Sequence, residues 1–105
     1  MMQSKLLKYI GFASAAKALV LGTDLVLTSI RKRQARIVIL AADPSARTAK
    51  QIQDKSKYYN IPLLHTEYTM EELAQAVGKS APVAAIAVTD AGFAAAIKDL
   101  ETKNQ

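Results

Sequence analysis

The feature that most limits how this chain can fold is Ile37-Val38-Ile39-Leu40-Ala41, five apolar residues with no polar residue between them. A strand with one wet face alternates apolar and polar residues. One that does not alternate has both faces covered, as in a sheet sandwiched between helices. Helical patterns stand on both sides of this run. Before it, from Thr23 or Asp24 to Arg33, Val26 and Ile30 fall at i, i+4, and Arg31, Lys32 and Arg33 fill the last turn, where the helix dipole favours cations. After it, Pro44 and Ser45 open a helix to about Tyr59 with Ala49, Ile52, Ser56 and Tyr59 inward; Asn60 closes it and Pro62 prevents its return.

The same alternation continues to both ends. Ser4 is an N-cap for a helix to Ala15 carrying Leu6, Leu7, Ile10 and Ala13 on one face, and Ala18 to Leu21 is a short strand stopped by Gly22. Leu63 to Thr66 is a third strand. Thr69 with Glu72 forms a capping box for a short helix ending at Gly78, and Val83 to Val88 is a fourth strand. Thr89 or Asp90 starts a last helix with Phe93, Ile97 and Leu100 inward, ahead of a frayed tail from Thr102 to Gln105. One helix followed by four strand and helix pairs predicts a three-layer α/β/α sandwich around a central four-stranded, mostly parallel or mixed sheet, with residues 1–105 forming a single domain. Alanine-rich stretches in the fourth strand and last helix point to close packing there.

Several function classes are excluded or disfavoured. Without cysteine there is no disulfide, thiol nucleophile or thiolate metal site, and a cytoplasmic address fits. Lys17, Asp24 and Arg31 interrupt the one stretch approaching the ~20 apolar residues of a membrane span. Gly11, Ser14 and Lys17 break the apolar segment that a signal peptide would need. Gly11, Gly22, Gly78 and Gly92 are too dispersed for a nucleotide-binding loop, and the lone His65 cannot by itself make a transition-metal site. No cofactor is expected.

Charge is one-sided. Residues 1–53 carry nine Lys or Arg against Asp24 and Asp43, a balance of +7, whereas the remainder sums to −2. A polyanion suits such a surface, because each phosphate neutralised by a basic side chain also releases condensed counterions. Arg31 and Lys32 lie about nine residues beyond Gly22, roughly 14 Å along a helix, a span that repeated phosphates can bridge and a small ligand cannot. Two alternatives stand beside nucleic acid. Asp24, Asp43 and Asp90 each follow a strand by one to three residues, so together they could hold magnesium or phosphate, unless they serve as helix caps. The basic face could instead dock an acidic protein.

Five segments in register resemble one family. They are Gly22-Thr23-Asp24-Leu25-Val26, Ile37 through Asp43, Asp54-Lys55 through Tyr58-Tyr59-Asn60-Ile61-Pro62, Glu72-Leu73 before Gly78-Lys79, and Val88-Thr89-Asp90-Ala91-Gly92-Phe93-Ala94. Over nearly the whole chain they are similar to the kink-turn-binding ribosomal-protein family, the L-seven-Ae family of large-subunit and ribonucleoprotein proteins, and most similar to its bacterial YlxQ-like branch. The resemblance implies the α/β/α fold, no enzymatic activity, and a monomer that binds structured RNA by inserting a helix N-terminus beside tandem sheared G·A pairs. In the family that helix opens with Gly, any residue, Asn and Glu, with a Lys three residues later. Here Gly22 and Thr23 match, while Asp24 stands for the Asn, Leu25 for the Glu and Thr28 for the Lys. Leu25 cannot accept from guanine N–H groups as Glu does, and Asp24 lacks the amide donors of Asn. A second family contact, in which apolar residues cover an extruded base, corresponds to Val77-Gly78-Lys79-Ser80-Ala81-Pro82. The expected RNA-binding set is therefore Gly22, Thr23, Asp24, Leu25, Thr28, Lys17, Arg31, Lys32, Asp43, Val77, Gly78, Lys79 and Ser80. Gly22 is expected in a surface loop that RNA or backbone approaches closely, so that Gly22→Val would cost binding more than folding.

Overall fold

The computed structural model describes residues 4–103. Its elements are α1 (Lys5–Ala15), β1 (Leu19–Leu21), α2 (Thr23–Arg31), β2 (Ile37–Leu40), α3 (Ala46–Tyr58), β3 (Leu63–His65), α4 (Met70–Ala76), β4 (Ala85–Val88) and α5 (Ala91–Lys103). The expected order of helix and strand holds. The fourth strand starts at Ala85 and not at Val83, because Val83 N–H donates to Met70 O, outside the sheet ladder. The last helix continues through Thr102 and Lys103, where a frayed tail was expected; Asn104 and Gln105 lie outside the described residues.

The sheet is mixed, in the order β1-β4-β2-β3. β2 and β3 are parallel, while β4 runs antiparallel to both of its neighbours, with Val20 opposite Ala87 and Ile39 opposite Ile86. So β1, β2 and β3 point one way and β4 points back.

Side-chain alternation along the central strands divides the core. Ile37 and Ile39 of β2 and Ile86 and Val88 of β4 enter one cluster with Ile10, Leu73 and Ile97, beneath α1, α4 and α5. Val38 and Leu40, with Ala85 and Ala87, enter the other with Val26, Ile30 and Ile52, beneath α2 and α3. All eight residues of β2 and β4 are buried, which accounts for the unbroken apolar run of β2. On the α2 side β4 offers only methyl groups, so α2 packs close to it.

Candidate functional site

Strand direction decides which residues can meet. At one end of the sheet lie the C-terminal ends of β1 and β2 and the N-terminal end of β4. Here Gly22 N–H donates to Ala85 O at 3.1 Å and Ala41 N–H to Ala84 O at 2.9 Å. The start of α2 and the loop from α4 to β4, almost sixty residues apart in sequence, are thereby brought side by side. Between them is a shallow groove of about 290 Å³ lined by Leu21, Gly22, Lys79, Ser80, Ala81 and Pro82, with Val83 at its base.

The two walls of this groove differ in chemistry. Ser4, Ser45 and Thr69 cap α1, α3 and α4 through their hydroxyls, and Asp90 Oδ2 accepts from Phe93 N–H at the start of α5. Among the described helices α2 alone begins without a side-chain cap: its N-cap is Gly22, and its first helical bond is Val26 N–H to Gly22 O at 2.9 Å. The N–H groups of its first turn are thus left facing outward at the positive end of the helix dipole, an arrangement suited to an anionic or acceptor-rich ligand. Across the groove, Lys79 and Ser80 are exposed, beyond a helix end closed by Gly78 at φ 72°.

Gly22 has φ 94° and ψ 150°, a region that is essentially glycine's alone, and no atom lies within 4 Å of where a Cβ would stand. The position demands glycine for its own backbone and not because anything crowds it, which overturns the expectation that Gly22→Val would spare the fold. Leu25 is 63% exposed, three residues beyond Gly22 and off the inner stripe that Val26 and Ile30 define. Thr28 is half-buried one turn further on, and its Oγ1 accepts from Arg31 Nη2 at 3.3 Å.

Other expected residues are placed differently. Val77 is 8% exposed and packs into the core with Leu73 and Ala74, so its side chain cannot cover a base. It is the C-cap residue whose apolar side chain seals the end of α4. Asp43 is at the same end of the sheet as Gly22, but its Oδ1 accepts from Met70 N–H at 2.7 Å, so it serves as a cap on α4. Lys17, Arg31 and Lys32 lie at the opposite end, at or just beyond the C-termini of α1 and α2.

The acidic-site alternative fails on topology. Because β4 runs against β1 and β2, Asp90 is at the far end of the sheet from Asp24 and Asp43, and the three cannot share an ion. Two of them already accept from backbone N–H groups, and among the described residues no group of three or more His, Asp or Glu is placed to hold a metal. His65 is exposed at the outer edge strand, beside a cleft of about 450 Å³ that is separated from Gly22 by the width of the sheet. No described helix is long and apolar enough to cross a membrane.

A mixed four-stranded sheet between helical layers, with an uncapped helix start facing a lysine-bearing loop, defines a small α/β protein. The chain belongs to the Ribosomal protein L7Ae/L30e/S12e/Gadd45 family, whose sequence pattern matches residues 4–98. It is 42% identical over 85 residues to the RNA-binding protein YlxQ of Bacillus subtilis (strain 168), covering 81% of this chain and 83% of that one. It is 36% identical over 98 residues to the RNA-binding protein YlxQ of Enterococcus faecium, covering 93% and 92%. The structure of a protein with unknown function from Bacillus halodurans C superposes with a TM-score of 0.87 at 32% identity, covering 93% of this chain and 97% of that one.

Proposed function

We propose that this chain is a non-enzymatic, monomeric, cytoplasmic RNA-binding protein that recognises structured, kink-turn-like RNA, acts with the ribosome, and uses residues 1–105 as one domain. The observation that carries this reading is the pairing of the uncapped start of α2 with the Lys79 loop across one groove. Two of its relatives are named RNA-binding proteins, and the two contacts expected from the sequence would both fall at this end of the fold.

In this reading the N–H groups after Gly22 donate to phosphate or base acceptors in a widened groove, and Thr23 and Asp24 sit against base edges. Gly78 lets the chain turn away, and Lys79 and Ser80 approach an unstacked nucleotide. Leu25 and Thr28 give the helix an apolar and a hydroxyl surface in place of an acceptor and a cation, so base discrimination is weaker than a Glu and a Lys would provide. Lys17, Arg31 and Lys32 supply longer-range attraction from the other end.

A titration against a kink-turn RNA and a plain duplex of equal length, repeated across salt concentrations, tests this. With roughly four to six phosphates neutralised, log affinity falls against log salt with a slope near −3 to −5, and the kink-turn binds more tightly than the duplex. A flat salt response with no preference between the two RNAs would overturn the proposal.

A further inference from the structure

The end of the sheet remote from Gly22 gathers Lys17, Arg31, Lys32, Arg33 and Arg36 together with an exposed aromatic ring. The chain segments that precede β1, β2 and β3 converge there: Thr89 N–H donates to Ala18 O at 2.9 Å and Arg36 N–H to Val88 O at 2.7 Å. Lys17, Arg33, Gln34, Arg36 and Thr89 line an open groove of about 530 Å³ that has no carboxylate in its wall. From this groove the Arg33 guanidinium reaches over the Tyr59 ring, 5.3 Å from its centroid. Tyr59 in turn meets Tyr58 edge to face at 5.0 Å and 75°. Tyr58 is 79% exposed. It closes a second groove, of about 420 Å³, in which Arg31 and Lys55 stand beside it; Asp54, also at that groove, is paired with Lys50 at 3.2 Å.

Cations therefore flank a pair of rings along one path, from Lys17 and Arg36 through Arg33 and Tyr59 to Tyr58, Arg31 and Lys55. We infer that this path is a second RNA-binding surface, which takes a single-stranded segment of a few nucleotides with a base stacked on Tyr58 and phosphates on Arg31, Arg33, Arg36 and Lys17. The ring selects the partner. In a duplex the base faces are hidden and Tyr58 would have nothing to stack on, whereas an unpaired strand offers a π-face and a charge at every nucleotide. Stacking accepts any base, so the surface is tolerant of sequence and suits strand flanking a folded element held at the Gly22 end. Only the choice of RNA as partner rests on the function proposed above, and binding of unstructured strand is measured separately from kink-turn binding.

The experiment is fluorescence anisotropy with a labelled twelve-nucleotide oligouridylate on the full chain, with a thermal melt of each variant. Tyr58→Ala weakens oligouridylate binding by about 5-fold or more, Tyr58→Phe restores it, and Arg36→Gln lowers the salt slope by about 0.7. All three melt like the parent, since both side chains are exposed. Lys79→Ala lowers affinity for the kink-turn RNA and not for the oligouridylate. Wild-type oligouridylate binding by Tyr58→Ala overturns the inference. So does a Lys79→Ala loss as large as that of Tyr58→Ala, which would put the strand at the other end, and so does polyglutamate competing equally per charge, which would make this an acidic-protein surface.

Discussion

Replacing Leu25 with Glu and Thr28 with Lys tests whether the first turns of α2 face the RNA. Were Leu25 part of the inner stripe, the change would bury a carboxylate and cost several kcal/mol. At 63% exposure it gives up only a fraction of the ~1.5–3 kcal/mol that full burial of a leucine contributes. A carboxylate in the first turn returns ~0.3–1 kcal/mol through the helix dipole. Lys at position 28 removes an exposed 3.3 Å hydrogen bond from Arg31 and places a cation three and four residues before Arg31 and Lys32, costing ~0.2–0.5 kcal/mol per like pair. These contributions nearly cancel, so stability should stay within about 1 kcal/mol of the parent and Tm within about 8 °C. Each good hydrogen-bonded pairing with a base is worth ~1–3 kcal/mol, or roughly 5- to 150-fold. The increase in affinity should be confined to kink-turn RNA in competition with a plain duplex at fixed salt. A variant that melts within that window and prefers the kink-turn no more than the parent would show that this surface does not read RNA. One that unfolds would show that Leu25 is held in the core after all.

Three further outcomes follow from the local geometry. Gly22→Val forces a β-branched residue to φ 94°, so it should lose ~1–3 kcal/mol in chemical denaturation before any effect on RNA is considered. Asp43→Ala removes the acceptor for Met70 N–H and should cost ~1 kcal/mol, with no change in the midpoint of a magnesium titration followed by melting. Ser56 Oγ is buried with no hydrogen-bond partner among the described groups, so Ser56→Ala should raise stability by ~1 kcal/mol in calorimetry.

What the sequence made legible was whatever local chemistry decides. The unbroken run of β2 announced two covered faces, and the Thr69 and Glu72 capping box is present, with Thr69 N–H donating to Glu72 Oε1 at 2.9 Å. Strand direction was not legible, because a buried strand reads the same in either sense, and the proposed meeting of Asp24, Asp43 and Asp90 depended on it. A usable signal was present in β4, where Ala85 and Ala87 alternate with Ile86 and Val88 and so mark one face for close helix approach. Val77 resembled a loop residue until its place as an apolar C-cap before Gly78 was clear. Leu25 could not be assigned from periodicity, since Ser29, one turn later on the same stripe, is buried while Leu25 is not. Arg33, Arg36 and Tyr58 carry no sequence signal of a shared site, because the loop before β2 and the end of α3 that carry them are brought together by the pairing of β2 with β3.

Helix polarity explains why the two ends of the sheet attract anions differently. α1, α2 and α3 each precede a strand of the same direction, so their C-termini gather at the Tyr58 end, together with the negative ends of their dipoles. Cations there are locally favourable, and Lys17 and Arg33 even occupy left-handed positions at φ 59°, where glycine is the usual residue. Such a conformation costs a non-glycine residue ~1–2 kcal/mol, a cost that attraction to the helix ends offsets in part. The N-termini of α2 and α3 point the other way, and the groove at Gly22 presents backbone N–H groups with Lys79 as the one cation in its wall. On the proposed readings, the Gly22 end offers fixed backbone donors beside one lysine, and the Tyr58 end holds phosphates through four mobile side chains. On four cations a single strand has a salt slope near −3, against −3 to −5 for the kink-turn RNA, so raising salt should weaken the folded element at least as steeply as the strand.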